Sequence, residues 1–233
     1  MTAFSYVDEN LAAIRARIDA ARARSGTDRE VTLLAAVKYT DTAHINYLHS
    51  LGVCDIGENR VQQLLEHWDA LDRKDQRVHF IGTLQKNKVK YIIDKVSMIH
   101  SLDSLSLAAE IEKQAAKHGI VMDVLVEINS GMEENKSGIA PDGAAEFCKA
   151  LSQFSHLRLC GFMTMAPKCE KIEEYRKYFR KTSQLCLDIW QKTLHNIDRP
   201  ILSMGMSDSF EVAIEEGADI VRVGRALFAP HNN

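Results

Sequence analysis

The sequence has few residues that would divide it into separate units. It contains four prolines in 233 residues, and no glycine-, serine- or proline-rich stretch separates one part from another. Its longest apolar runs are too short to span a bilayer, and residues 1–10 carry neither the basic nor the apolar segment of a signal peptide. We therefore expect one cytoplasmic domain over residues 1–233 that is not associated with membranes.

Cysteine pairs and a strong net charge are also missing. The five cysteines form no Cys-x-x-Cys pair and have no histidine at zinc spacing, which argues against a metal site and fits a reducing compartment. The net charge of -3 gives no general attraction to nucleic acid. A phosphate-bearing ligand would therefore have to be held by local groups, and neither a metal nor a nucleic acid is expected as a partner.

Short apolar segments alternate with amphipathic ones along the whole chain. We expect strands over residues 31–38, 53–57, 78–82, 97–102, 122–129, 157–164, 201–204 and 219–223. Helices are expected over residues 42–51, 58–68, 86–95, 104–118, 141–154, 170–194 and 208–216. This pattern predicts a single (β/α)8 TIM barrel. An open doubly wound sheet is the rival, but no G-x-G-x-x-G follows the first strand.

An additional amphipathic helix precedes the first predicted strand. Residues 6–24 place apolar side chains at helical spacing between charges, and Gly26 can end that helix. We expect residues 1–28 to pack on the barrel as an extra N-terminal helix.

The first predicted strand is apolar except for Lys38 at its last position. A lysine buried there would be partly uncharged, and its amine could form a Schiff base with an aldehyde. The alternative is that the strand simply ends and the amine extends into solvent. The residues at the other strand ends bear on this choice.

In a (β/α)8 barrel the carboxyl ends of all strands meet at one rim, where active sites are built. The residues at or just after the predicted strand ends should therefore face one another: Lys38, Asn59, Gly82, Asn129, Met163, Thr164, Gly205, Arg222 and Gly224. A lysine among these residues is favoured as a functional amine.

The last two predicted strands carry the pattern of a phosphate site, which barrels commonly place there at helix N-termini. Gly205 permits close approach of the backbone, and Ser207 offers an amide and a hydroxyl where a helix starts. Gly224 and Arg225 repeat the arrangement after the last strand. Each half could also be an ordinary helix N-cap or strand-ending turn. Arg222 needs a buried acceptor, because an unpaired guanidinium in an apolar strand is costly.

Several of these segments together resemble a known family. They are Ala36-Val-Lys38, Gly57-Glu-Asn59, His79-Phe-Ile-Gly82, Asn135-Lys-Ser-Gly138, Gly161-Phe-Met163, Leu202-Ser-Met-Gly-Met-Ser207 and Val221-Arg-Val-Gly224. From about residue 31 to residue 228 the chain resembles the pyridoxal phosphate homeostasis proteins. These cytosolic proteins are similar in fold to the N-terminal barrel of alanine racemase.

The resemblance implies that Lys38 holds pyridoxal 5'-phosphate (PLP) as an internal aldimine and that Arg222 faces the pyridine nitrogen. An arginine keeps that nitrogen unprotonated, because two positive charges at hydrogen-bond distance repel each other. An unprotonated pyridine is a weaker electron sink than a pyridinium. The other implied binding residues are Asn59 in the pocket and Gly205, Ser207, Gly224 and Arg225 around the phosphate.

Two positions depart from the family pattern. Lys38 is followed by Tyr39-Thr40-Asp41, where many members have serine or threonine and then proline, so the loop over the cofactor is expected to differ. Arg225 replaces a small hydroxyl residue. Its amide remains available to the phosphate, and its side chain could face either the phosphate or solvent.

Two classes of function fit the resemblance. We expect a monomeric, non-catalytic protein that stores, buffers or delivers PLP, with PLP-dependent apoenzymes as candidate recipients. The alternative is a PLP-dependent amino-acid racemase or related fold-type III enzyme, which needs a base on each face of the substrate carbon. In alanine racemase the second base comes from an added C-terminal β domain, which we do not expect because this chain stops at Asn233. Tyr39 and His79 are the internal candidates, and His79 is expected to be a hydrogen-bonded core histidine.

Other charged residues near the rim are expected to be solvated surface groups. Lys86, Lys88 and Lys90 could attract a second phosphate-bearing ligand or an acidic partner, but a solvated helix face is the simpler explanation. Lys136 lies in a polar stretch that predicts a solvated loop, so it ranks behind Lys38 as the reactive amine.

Overall fold

Eight parallel strands close into a barrel in the computed structural model, which describes residues 4–38, 40–193 and 199–230. Each strand pairs with the next in sequence, and the last pairs with the first. The predicted (β/α)8 barrel is confirmed, while the domain limits stay a prediction. The strands are β1 (Thr32–Ala36), β2 (Asp55–Glu58), β3 (Arg77–Phe80), β4 (Met98–Leu102), β5 (Met122–Ile128), β6 (Leu157–Thr164), β7 (Ile201–Ser203) and β8 (Ile220–Val223).

Helices surround the barrel and connect successive strands. They are α1 (Ser5–Ser25), α2 (Thr42–Ser50), α3 (Val61–Trp68), α4 (Leu105–His118), α5 (Ala144–Leu151), α6 (Arg176–Thr193), α7 (Phe210–Glu215) and α8 (Arg225–Phe228). Asp41 caps α2 by accepting a hydrogen bond from the His44 amide at 2.9 Å. Gly119 ends α4 with a φ of 63°. No helix of the described residues is long and apolar enough to cross a membrane.

Several elements differ from the sequence prediction, and two of the differences involve lysines that it discussed. The basic segment expected as a helix over residues 86–95 is a short 3₁₀ helix, Lys86–Tyr91. No side chain caps its start, and its three lysines repel one another within a short segment. The first strand ends at Ala36, so Lys38 belongs to the loop that follows the strand.

The buried core has two layers. The larger layer lies between the outer face of the strands and the helices, and it includes the fully buried Ile56 and Phe162. Smaller apolar clusters fill the barrel interior, one around Leu34 and Ile81 and the other around Leu125. Because side chains alternate along a strand, the inward face also receives polar residues from several strands.

The N-terminal helix ties the start of the chain to its end. α1 packs against α7 and α8, and its apolar positions are buried as predicted. The Asn10 side chain donates to the carbonyl oxygens of Leu227 and Ala229 at 3.0 and 2.9 Å. Since α8 begins at Arg225, these hydrogen bonds fix the segment that follows the last strand.

We expect Asn10→Ala to lower the free energy of unfolding by about 1 to 3 kcal/mol, because two main-chain carbonyls lose their donor in a buried setting. Asn46→Ala is the matched control. Asn46 also makes two hydrogen bonds to the backbone, at Ala70 and Asp72, but at the surface, so its loss should be below about 1 kcal/mol. Urea unfolding measures both variants, and equal losses would contradict the role of burial.

Candidate functional site

Two adjoining cavities open at the carboxyl end of the barrel. Their volumes are about 380 and 630 Å³, a size that suits a small cofactor. Both are lined by Lys38, Asn59, Ile81 and Met165. The larger cavity brings together six of the seven predicted binding residues: Lys38, Asn59, Ser207, Arg222, Gly224 and Arg225.

Lys38 lies at the mouth of these cavities. The residue is exposed, so the interpretation as a lysine buried at a strand end is wrong. The preceding residue, Val37, is fully buried and its amide donates to the Gly57 carbonyl oxygen at 3.1 Å. The backbone that carries Lys38 is therefore fixed, although its side chain is not enclosed.

Arg222 has the buried acceptors that its place in β8 required. It is 4 % exposed, and its Nη1 donates to the carbonyl oxygen and to Oγ of Ser203 at 2.6 and 2.7 Å. Its Nη2 donates to the Thr164 carbonyl oxygen at 2.9 Å. The guanidinium has five N–H groups, and the remaining two have no acceptor within the described residues. Burial lowers the pKa of Arg222 to about 10, with Glu127 opposing the shift, so the group is charged at neutral pH.

The turn after β8 and the loop after β7 form a cradle of backbone amides. A Cβ at Gly224 would lie 2.7 Å from the Ala36 carbonyl oxygen, so only glycine permits this approach. Ser207 Oγ accepts a hydrogen bond from the Ala226 amide at 3.3 Å, which joins the two segments. In the part of the chain that the structure describes, the amides of Ser207 and Arg225 have no acceptor. They can therefore bind an anion.

Two residues assigned to the phosphate make other contacts. Gly205 has a φ of 90°, and a Cβ there would lie 2.5 Å from Ala213 Cβ, so this glycine is needed to pack α7 against the end of β7. The Arg225 side chain is exposed and forms an ion pair with Asp208. Contact of Gly205 with a ligand stays a prediction, and the Arg225 side chain is held along the surface.

Asn59 presents an unused acceptor to the same cavities. The residue is half-buried just after β2, and its Oδ1 is buried with no hydrogen-bond partner among the described residues. An unsatisfied buried acceptor costs about 1 to 3 kcal/mol. A ligand that donates a hydrogen bond here would remove that cost.

Sequence reasoning missed Glu127. It is 4 % exposed in β5 and lines the smaller cavity with Lys38, and Ser137 Oγ donates to its Oε1 at 3.0 Å. Burial raises the pKa of Glu127, and the charge of Asp103 adds to the rise while Ser137 and Arg222 oppose it. The available signal was a charge inside an apolar strand, the same signal that identified Arg222.

The structure describes only one of the two residues considered as internal bases of a racemase. His79 is buried and uses both ring nitrogens, Nε2 toward Asp55 Oδ1 at 3.0 Å and Nδ1 toward His100 Nε2 at 2.9 Å. It is therefore a hydrogen-bonded core histidine, as expected. Tyr39 lies outside the described residues.

The other charged candidates are surface groups. The Nζ atoms of Lys88 and Lys90 lie 5.9 and 4.9 Å from the centroid of the Tyr91 ring. Lys136 is exposed and pairs with Glu133 at 2.7 Å. Within residues 4–38, 40–193 and 199–230, no cluster of three or more histidine, cysteine or acidic residues could hold a metal ion.

Known proteins are similar to this chain in sequence and in fold. The family model described as the alanine racemase N-terminal domain matches residues 10–231. A pyridoxal phosphate homeostasis protein of Aquifex aeolicus is 44% identical over 221 residues, which are 94% of this chain and 96% of that protein. An unknown protein from Bifidobacterium adolescentis has a TM-score of 0.90 at 33% identity, covering 96% of this chain and 94% of that one. PipY of Synechococcus elongatus, solved with PLP bound, has a TM-score of 0.83 at 28% identity, covering 96% of this chain and 100% of that one.

The raised pKa of Glu127 predicts a pH-dependent loss of stability. In the unfolded chain the carboxyl returns to its ordinary value near 4.5. As the pH rises above that value, the unfolded chain releases this proton before the native state does, so the free energy of unfolding falls until the folded pKa is passed. Glu127→Gln removes this contribution. Urea unfolding from about pH 4.5 to about pH 8 should therefore show the free energy of unfolding of the variant rising relative to that of the wild type as the pH rises.

Glu134→Gln is the control for this measurement, because Glu134 is an exposed carboxyl in the neighbouring loop. Its difference from the wild type should not change over the same pH range. Parallel curves for Glu127→Gln and the wild type would show that the Glu127 carboxyl titrates alike in the folded and unfolded chains.

Proposed function

The chain belongs to the pyridoxal phosphate homeostasis protein family, and from this premise we propose that it binds PLP at the carboxyl end of the barrel. One observation carries the proposal: a single cavity presents the Lys38 amine, the Arg222 guanidinium and the amide cradle at Ser207 and Arg225. These three groups suit an aldehyde, a pyridine nitrogen and a phosphate. The protein then holds PLP in a masked and reversible form.

Arg222 fits the ring nitrogen of the cofactor. Its guanidinium lines the cavity and has two N–H groups without an acceptor among the described residues. Because the guanidinium is charged, it favours an unprotonated pyridine nitrogen that accepts a hydrogen bond. The ring is then a weaker electron sink than one paired with a carboxylate.

The amide cradle fits the phosphate. The net charge of the chain is -3, so no bulk field draws an anion and the local donors must hold it. The amides of Ser207 and Arg225, with the Ser207 hydroxyl, provide such donors at the ends of two neighbouring strands. Gly224 lets the backbone come close, since it has no Cβ to meet Ala36.

Lys38 completes the set with an amine at the open end of the cavity. When bound, PLP supplies a reactive aldehyde and a conjugated ring. The Lys38 amine can condense with that aldehyde, losing water. Because Lys38 is exposed, water or a competing amine can reach the new bond and reverse it. An attachment of this kind suits storage and release.

We extend the proposal to a protein without catalytic turnover. Two-base racemization needs an acid and a base on opposite faces of one carbon, and His79 has both nitrogens engaged in the core. Glu127 is a buried carboxyl in the smaller cavity and is the remaining candidate for a base. Its Oε1 already accepts a hydrogen bond from Ser137. A cavity open to solvent also lacks the exclusion of water that protects reactive intermediates.

We also propose a monomer in the cytoplasm that passes PLP to PLP-dependent apoenzymes. All five cysteines are free, which fits a reducing compartment. Met165 and Met206 are 41% and 40% exposed beside the cavity. These flexible apolar side chains give a recipient protein a surface to contact at the mouth.

The protein incubated with PLP should turn yellow, and borohydride should fix the cofactor onto Lys38, as shown by peptide mass spectrometry. Lys38→Ala should lose the absorbance band and the fixed label. Its free energy of unfolding should change by less than about 0.5 kcal/mol, because an exposed side chain contributes little packing. Lys136→Ala removes another lysine near the rim and should keep both signals. A label on any other lysine would refute the assignment.

Exchange of the amino-acid α-proton separates holding from catalysis. We expect several amino acids, incubated in D2O with the PLP-loaded protein, to exchange their α-protons no faster than with free PLP, because Arg222 keeps the pyridine nitrogen unprotonated and the ring a weaker electron sink. Proton NMR measures the exchange. Turnover that disappears in Lys38→Ala and persists in Lys136→Ala would instead establish the racemase alternative.

A further inference from the structure

A line of hydrogen-bonded side chains crosses the barrel interior. Asp55 Oδ1 lies 3.0 Å from His79 Nε2, and His79 Nδ1 lies 2.9 Å from His100 Nε2. His100 Nδ1 lies 3.0 Å from Ser203 Oγ, which accepts a hydrogen bond from Arg222 Nη1 at 2.7 Å. The line starts at the amino end of β2 and ends at the residue assigned to the ring nitrogen.

Every residue of the line is buried, although Arg222 and Asp55 at its two ends each line a cavity. His100 and Ser203 are 0% exposed. Barrel interiors are usually filled by branched apolar side chains, and a buried polar group is costly unless it is fully paired. Polar residues from β2, β3, β4, β7 and β8 therefore occupy positions that apolar side chains could fill, which indicates a role beyond packing.

The charges at the two ends restrict where the protons lie. Burial opposes ionisation of Asp55, but hydrogen bonds from His79 and Arg77 outweigh it and hold the pKa of Asp55 below its ordinary value. The Asp55 carboxylate is therefore an acceptor. Burial, with the charge of Arg222 adding to it, lowers the pKa of His100 well below its ordinary value. His100 is therefore neutral and carries one ring proton.

These two restrictions fit one arrangement of the line. His79 donates from Nε2 to Asp55 and accepts at Nδ1, so His100 donates from Nε2 and accepts at Nδ1. His100 Nδ1 then accepts a hydrogen bond from the Ser203 hydroxyl, and the Ser203 oxygen accepts one from Arg222 Nη1. A doubly protonated His79 would reverse the bonds to His100 and Ser203. The hydroxyl proton of Ser203 would then have no acceptor within the described residues.

We propose that Asp55, His79 and His100 are positioning residues of the cofactor site: they orient the Ser203 hydroxyl as an acceptor and so hold the Arg222 guanidinium against the ring nitrogen. The inference rests on the proposed function, because the ring nitrogen is that of PLP. Packing alone would be served by any side chain of similar volume. Positioning needs an acceptor at His100 Nδ1.

The proton arrangement is tested on the protein without cofactor. In ¹⁵N NMR spectra of a neutral histidine, the protonated ring nitrogen and the unprotonated one have different chemical shifts. His79 and His100 should both be neutral with the proton on Nε2. Spectra of His79→Gln and His100→Gln supply the assignments. A proton on Nδ1 of either ring would overturn the proposal, and this result does not depend on PLP binding.

Two substitutions at His100 test the link to the cavity. The amide oxygen of His100→Asn can replace Nδ1 as the acceptor for Ser203, whereas the amide of His100→Gln reaches toward His79 and leaves Ser203 without its acceptor. With PLP bound, we expect His100→Gln to lose the cofactor about tenfold faster on dialysis, as for the loss of one hydrogen bond to a charged group. Its absorbance maximum should shift. His100→Asn should stay close to the wild type in both measurements.

His67→Gln is the matched control, because His67 is also a buried histidine paired with a carboxylate, Glu58, at 2.8 Å. It lies on α3, outside the line, and should change thermal stability without shifting the absorbance. Equal spectra for wild type, His100→Gln and His100→Asn would overturn the proposal. Absence of any PLP band in the wild type would instead overturn the proposed function, and the NMR result would still stand.

Discussion

A charged guanidinium buried inside the barrel sets the requirements for much of this structure. Removing an ion from water costs several kcal/mol unless hydrogen bonds replace its hydration. Arg222 meets this requirement largely with main-chain carbonyls, those of Ser203 and Thr164, which lie at the carboxyl ends of β7 and β6. The barrel end is where strand carbonyls come together, so the fold itself supplies the acceptors. Glu127 adds a compensating acid on the same side.

The two ends of the barrel are built differently. At the amino end, neighbouring strands are joined by arginine–aspartate pairs, Arg77 with Asp55 and Arg158 with Asp123. The arginine of each pair is exposed, while its aspartate is largely covered, so each pair links two neighbouring strands at the edge of the barrel. Asp55 has a second role, because the same carboxylate accepts from His79 inside the barrel. The carboxyl end keeps unpaired donors instead, and ligand chemistry is possible there.

Much of the fold could be predicted because its signals are local. β6 has the predicted bounds, Leu157–Thr164, since a long apolar segment between polar turns can only be a buried strand here. The site was harder. The predicted burial of Lys38 was wrong, because sheet pairing stops at Ala36 and hydrophobicity does not show where pairing stops.

The missed residues have a common cause. Glu127 and His100 lie within strands, and which face of a strand points into the barrel depends on the register of its neighbours. The acceptors of Arg222 are largely backbone carbonyls, which leave no trace in the sequence. A charged residue inside an apolar strand was the usable signal, and it was applied to Arg222 but not to Glu127.

The contrast between Arg222 and Lys38 gives the proposed function its physical logic. Arg222 is 4 % exposed and has acceptors on three N–H groups, whereas Lys38 is exposed on a loop whose backbone is anchored at Val37. The ring and phosphate ends of PLP would then meet fixed donors, and the covalent end would face solvent. Under the proposed function, the fixed contacts would retain PLP and its exchange would proceed through the open end. An enzyme that must protect a reactive intermediate would enclose that end, so this division favours a protein that holds PLP and gives it up.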